Sequence, residues 1–233
     1  MAAVEVFYHS SIGGRGLSKK GNTGAYFPKD LASLDLVPYE INQKYPSGRC
    51  PAQKEFWKNT WTCKTPFAID MKIFHKQQKA MITNMETSGA ETVCLPETFR
   101  WEGPTLEGQM TFNYLFWTKH PNIWVEQRAS YDMTKRGVET VQGTFPISAW
   151  VRPLNFGFRT SETDLNIPKG TEVYHVKLID KDNNANIRLT PVDTIPDWVH
   201  EKKDAEDNYR MLFKMKSWGA MMRRVKEGFT QWD

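Results

Sequence analysis

His175 stands in an alternating run, Glu172-Val173-Tyr174-His175-Val176-Lys177, where a second imidazole two positions on would complete a metal-binding pair on one strand face. Lys177 occupies that position, and a protonated lysine offers a metal no lone pair. No metal site and no cofactor is therefore expected. His9, His75, His120 and His200 are isolated from one another in sequence, and neither an HExxH helix nor a CxxC pair occurs. Cys50 and Cys63 lie too far apart for finger spacing, so Cys50, Cys63 and Cys94 read as reduced thiols, the first two buried.

Nucleophilic and phosphate chemistry find equally little. No G-x-S-x-G elbow is present. The stretch Gly16 to Thr23 has the glycine spacing of a P-loop but Asn22 where the lysine must stand, so it reads as a flexible basic surface loop. Glu97, Glu102 and Glu107 surround Arg100-Trp101, and paired carboxylates can do acid and base work on a sugar, although solvated loop acids are commoner. Of the nine tryptophans, those beside arginine, in Arg100-Trp101 and Trp150-Val151-Arg152, can stack on a sugar or base while the guanidinium holds an anion. The candidate binding residues are thus Arg100, Trp101, Trp150, Arg152 and His175; no catalytic set is assigned.

The elements that must position these groups are mostly strands. Phe67, Ile69, Met71 and Ile73 alternate, as do Met110, Phe112, Tyr114 and Phe116, with Leu115 and Trp117 making the second strand apolar on both faces and hence central or covered. Further strands are expected over 4–9, 80–83, 91–95, 123–128, 138–141, 147–151, 155–159, 172–179 and 186–189. A short helix or turn at Lys54 to Trp61 should pack at a sheet edge, and the segment 181–186, rich in Asn and Asp, reads as a hairpin loop. Many short strands with such punctuation predict an all-β dominated fold, a β-sandwich or jelly roll.

Past residue 204 the period changes. Met211, Met215, Trp218, Met222, Val225 and Phe229 recur at helical spacing, giving a C-terminal amphipathic helix that packs on its own sheet or offers Met211, Met215, Trp218 and Met222 to a partner. A single domain spanning 1–233 follows, with an irregular segment to 48, a sandwich core over 49–195 and the helix over 196–233.

Formal net charge is +4, from 31 basic and 27 acidic residues spread along the chain, which permits nucleic-acid binding without demanding it. No stretch approaches the length of a membrane span, and the first residues do not read as a secretory signal, so no membrane association and a cytoplasmic location are expected, in a host cytoplasm or a virion.

Two resemblances bear on this. The segment Ile167-Pro168-Lys169-Gly170 leading into Val173-Tyr174-His175 resembles the turn and strand that open a cupin barrel, with Lys177 replacing that family's second histidine. Trp57-Lys58-Asn59-Thr60-Trp61, Lys64-Thr65-Pro66-Phe67, Gly143-Thr144-Phe145, Trp150-Val151-Arg152-Pro153-Leu154 and Ile167 to Gly170 are similar to a pattern in uncharacterised proteins of tailed phages and some bacteria, over residues 45–180. That resemblance implies a phage or marine-microbial origin and supplies no catalytic residue. The first expectation is a non-catalytic protein that binds a protein partner, a second copy of itself or a glycan. The alternatives are a metal-independent cupin-like enzyme on a small sugar or acid, pairing His175 with a carboxylate from 97–107, and a weak nucleic-acid binder.

Overall fold

In the computed structural model of the protein, residues 3–10, 36–41, 44, 46–65, 68–74, 79–82 and 106–212 are described, and of these 46–47, 79–82, 106–113, 153, 155 and 206–212 by their backbone alone. The elements run β1 (Val4–Ser10), β2 (Leu36–Pro38), α1 (Pro46–Arg49), α2 (Pro51–Trp57), β3 (Thr60–Lys64), β4 (Ile69–Phe74), β5 (Lys79–Ile82) and β6 (Leu106–Trp117). They continue as β7 (Ile123–Ala129), α3 (Tyr131–Thr134), β8 (Val138–Thr140), β9 (Gly143–Pro146), β10 (Pro153–Thr160), β11 (Asp164–Ile167), β12 (Glu172–Asp180), β13 (Ile187–Pro191) and α4 (Asp197–Leu212). The fold is an all-β dominated sandwich with a C-terminal helix, as the alternation predicts.

Three sheets share one core: β13-β1-β6-β10-β8, β2-β3-β12-β7-β9 and the smaller β11-β4-β5. Alternation decides which side chains enter it. Val4, Val6 and Tyr8 of β1, Tyr114 and Phe116 of β6, and Phe156 and Phe158 of β10 face Cys63, Tyr174, Val176 and Leu178 of the second sheet. Ile69, Met71 and Ile73 bring the third sheet into the same cluster, in register with Leu165 and Ile167 of β11. Aromatic rings bridge the gap: Tyr174 stacks on Phe156 at 5.8 Å and meets Tyr114 edge-on at 6.4 Å. Burial and hydrogen bonding decide the state of the polar groups caught inside. The Cys63 thiol lies 3.4 Å from the Tyr114 hydroxyl, and desolvation pushes its pKa up to about 12, so it stays neutral.

β6 is the middle strand of its sheet and is covered on both sides, as its two apolar faces require. Leu115 and Trp117 point away from the main core into a second cluster with Val151, Ile195 and Val199, which seats the first turns of α4 on the outer sheet face. The helix begins at Asp197, seven residues ahead of the period change near 204, because apolar contact with the sheet starts at Ile195 and Val199. No described helix is long and apolar enough to cross a membrane.

The structure departs from the sequence expectations in several places. No strand forms over 147–151: β9 ends at Pro146, which has no N–H for a ladder, and a turn closed by the Trp150 N–H on the Pro146 carbonyl (2.8 Å) drops Trp150 into the core. The loop 181–186 is not a hairpin, since β12 and β13 lie in different sheets and β13 instead runs parallel to β1. β2, β3, β9 and β11 are absent from the expected strands; the first three join the second large sheet, β3 starting at Thr60 within the stretch expected as a helix or turn, and β11 pairs with β4. Cys50 is exposed ahead of α2, whereas Cys63 is buried. The expected strand over 91–95 lies outside the described residues.

Asn59 ties the crossing loop to the start of β3. Its φ is +53°, its side-chain Nδ2 donates to the Ala185 carbonyl at 2.9 Å, and its side-chain Oδ1 accepts the Ile187 N–H at 3.0 Å. Asn59→Ala should lose two hydrogen bonds of about 1 kcal/mol each and add about 1 kcal/mol of left-handed strain. Asn59→Gly should lose the bonds alone, about 2 kcal/mol, in urea unfolding. A glycine variant as stable as the parent would show that the Asn59 side chain does not hold this junction.

Candidate functional site

The pleat that sends Tyr174, Val176 and Leu178 inward sends His175 and Lys177 to the outer face of the second sheet. Strand register then sets two rows across β3, β12 and β7: Thr62, His175 and Arg128 in one, Thr60, Lys177 and Glu126 in the next. A hydroxyl, an imidazole and a guanidinium are thus neighbours by register, with a lysine and a carboxylate beside them.

A cover lies on this polar floor. Tyr39, one residue beyond β2, stacks on Trp57 at 4.1 Å between ring centroids. Both rings meet His175 edge-on, at 5.0 and 5.1 Å. Beneath them His175 Nδ1 shares a hydrogen bond of 3.0 Å with Thr62 Oγ1, and only 3% of the histidine remains exposed. Desolvation, reinforced by the Arg128 charge and opposed by Asp132, lowers its pKa to about 4, so the ring is neutral at physiological pH.

α2 is fastened to the same floor by its C-terminal end. Lys177 Nζ donates to the Phe56 carbonyl at 2.7 Å and the Glu55 carbonyl at 3.3 Å, and Arg128 Nη1 donates to the Phe56 carbonyl at 2.9 Å. These carbonyls close the last turn of α2, where the dipole favours cations, and that of Glu55 also accepts the Lys58 N–H at 3.3 Å. Arg128 also pairs with Glu126 at 2.7 Å and lies 3.9 Å over the Phe56 ring, a ring that keeps 48% of its surface in solvent. The short helix therefore sits on the sheet face, not at its edge as the sequence suggested. Lys177 has its pKa lowered, first by burial and then by Arg128.

At the start of β12, Glu172 sits 3.8 Å from Lys64 while its backbone N–H donates to Asp132 Oδ2 at 3.3 Å. Ser130 caps α3 by accepting the Met133 N–H and donates its own hydroxyl to the Glu172 carbonyl. Burial raises the Glu172 pKa against the pull of Lys64, and burial with the Glu172 charge raises that of Tyr39. Alongside, Tyr39, Glu40, Ile41, Gly48 and Lys54 line an open cleft of about 510 Å³.

The residues singled out from sequence do not converge here. His175 is on this face but enclosed. Trp150 is buried in the core edge-on to Phe145 at 5.6 Å, and the Arg152 guanidinium stacks 4.6 Å over that same tryptophan. Phe145 pairs with the inward-facing Val125, so this pair and His175 occupy opposite faces of the sheet. Arg100, Trp101, Glu97, Glu102, the glycine-rich loop, Met215, Trp218 and Met222 lie outside the described residues, and Met211 is described by its backbone alone. Glu107 belongs to β6, in the other large sheet from His175. Among the described residues no group of three His, Cys, Asp or Glu side chains is placed to hold a metal.

Sequence reasoning missed Tyr39, Thr62, Phe56 and Arg128. One signal was available. Glu126 and Arg128 on β7, like His175 and Lys177 on β12, are polar residues two apart, which puts each pair on one face.

No family model matches the chain, and no curated protein matches it. Among solved structures it is similar to native EIAV dUTPase at 7% identity, over 66% of this chain and 91% of that chain, with a TM-score of 0.33. A likeness of that size carries no argument about fold or activity.

The enclosed imidazole makes a signed prediction. Between pH 6.5, its ordinary pKa, and pH 4, the unfolded chain binds a proton at His175 that the folded chain does not, so stability rises with pH across this window and is lost as pH falls. The loss should total about 3 kcal/mol. Glu172, raised, acts with the opposite sign at pH above its ordinary 4.5 and remains present in a His175→Gln variant. Urea unfolding at a series of pH values should therefore show a shallower fall for His175→Gln than for the parent, and parallel curves would reject the buried neutral imidazole.

Proposed function

We propose that the protein is a non-catalytic binding module that takes a glycan on the α2 side of the second sheet. The observation that supports this best is the open cleft of about 510 Å³ lined by Tyr39, Glu40, Ile41, Gly48 and Lys54, which brings an aromatic residue together with residues of both charges. Sugars are held by this combination, an aromatic surface for the C–H face and charged groups for the hydroxyls.

Enclosure of the most reactive pair favours binding over catalysis. Thr62 and His175 have the contact of a hydroxyl nucleophile and its base, but Tyr39 and Trp57 stand where a substrate would have to enter. The resemblance to proteins of tailed phages and bacteria supports a phage or marine-microbial setting for such a module.

Calorimetric titration with a panel of neutral and acidic oligosaccharides tests the reading. At least one should bind, and Tyr39→Ala or Lys54→Ala should weaken it about ten-fold, equivalent to about 1.4 kcal/mol. Absence of binding across the panel, with the parent protein folded, would remove the glycan and leave a protein partner to be sought on the exposed rings of Phe56 and Tyr131.

A further inference from the structure

α2 is held in place without burying any side chain of its own. Beyond the Lys177 and Arg128 bonds to its last carbonyls, its attachments include the Trp57 ring on Tyr39 and His175, the Phe56 ring under Arg128, the Asn184 amide on Glu55 Oε1 (2.8 Å) and the Lys58 ammonium, just past the helix, on the Asn184 carbonyl (2.7 Å). Under it lies a floor whose two rows carry two cations, Arg128 and Lys177, against one carboxylate, Glu126, together with the Thr62 hydroxyl and His175 imidazole. The groups facing this floor from the cover and its flanks are Glu55, Lys58, Tyr39, Asp132 and Glu172. The positive donors converge on the Phe56 carbonyl, an acceptor with the partial negative charge of a helix C-terminus.

We propose that these two rows form a receptor for an oxyanion, a carboxylate or phosphate, and that the C-terminal carbonyls of α2 occupy it as a built-in plug. A full negative charge is a stronger acceptor for Lys177 and Arg128 than a peptide carbonyl. Entry of the anion requires α2 to lift, which breaks the peripheral ties and uncovers His175. The intrinsic affinity of the floor is therefore reduced by the population of the lifted state. This inference stands apart from the glycan reading, because the cleft at Tyr39 and Lys54 is open with α2 in place.

The test uses sodium acetate and inorganic phosphate as probes, against chloride at matched ionic strength. Glu55→Ala with Asn184→Gly severs the peripheral tie, and Asn184→Gly alone severs it with the Glu55 charge beside Lys177 retained, so a gain in affinity confined to the double variant is an effect of charge and counts against the proposal; glycine suits the φ of +49° at position 184. Acetate or phosphate should move the His175 imidazole resonances, bind the double variant about ten-fold more tightly than the parent, and speed amide exchange over 51–58 in both. Lys177→Met in the unlatched background should abolish the binding. Whichever anion binds names the ligand chemistry. Unmoved His175 resonances with both anions, or equal affinity in latched and unlatched proteins, would overturn the proposal. If the double variant does not fold, unchanged exchange over 51–58 in the parent under either anion overturns it as well.

Discussion

Strand β12 is largely buried on both faces, so the polar groups along it depend on partners within the protein, a requirement that Asp180 Oδ2 leaves unmet. On the inner face the requirement falls on Tyr174, whose ring packs between Phe156 and Tyr114 close to the Cys63 thiol. Outside, it falls on His175, answered by Thr62 and by the loss of its own charge. At the strand's end Asp180 accepts the N–H groups of Asp182 and Asn183 through one oxygen, which starts the turn that carries the chain out of this sheet. A central strand in a two-layer sandwich would ordinarily leave one face to solvent. Here the second face needs a cover, and the α2 segment supplies it.

The other large sheet meets the same constraint with different chemistry. β6 has Leu115 and Trp117 on its outer face, and α4 covers them by apolar contact that needs no particular orientation of charge. The outer face of β12 carries Lys177 and its neighbours Arg128 and Glu126, so its cover must present acceptors. The exposed carbonyls at the end of a short helix meet that need. One cover is greasy and long, the other polar and short. Apolar burial gives the first helix its attachment, whereas α2 depends on a few charge-assisted hydrogen bonds.

Periodicity made much of this legible. The alternation at Ile69, Met71 and Ile73 and at Tyr114 and Phe116 places those residues in the core, and the double-sided apolar text of β6 correctly marks a central strand. Periodicity assigns a face but not a partner strand, which is why 181–186 looks like a hairpin although β13 crosses to lie beside β1. Apolar residues alone do not make a strand either: Ile147, Trp150 and Val151 are buried from an irregular segment that Pro146 forces out of the ladder. Of the candidate site, His175 was visible and its enclosure was not. Thr62, Tyr39 and Trp57 reach it from distant points of the chain, and only the pairing of β3 with β12 and β2 brings them there.

Lys177 shows how one residue can change meaning between sequence and fold. By sequence it is the lysine that displaces a second histidine and so removes a metal pair. In the fold it is an ammonium directed at helix carbonyls, with its pKa lowered by burial and by Arg128. A histidine at 177 would place two imidazoles on one face, but the shorter side chain, neutral at physiological pH, would be a weaker donor that reaches less far toward the last turn of α2. Charge at position 177 is thus one of the ties, with that of Arg128, that hold a helix with no buried side chain on the sheet. The same charge makes that attachment sensitive to any stronger acceptor that reaches it.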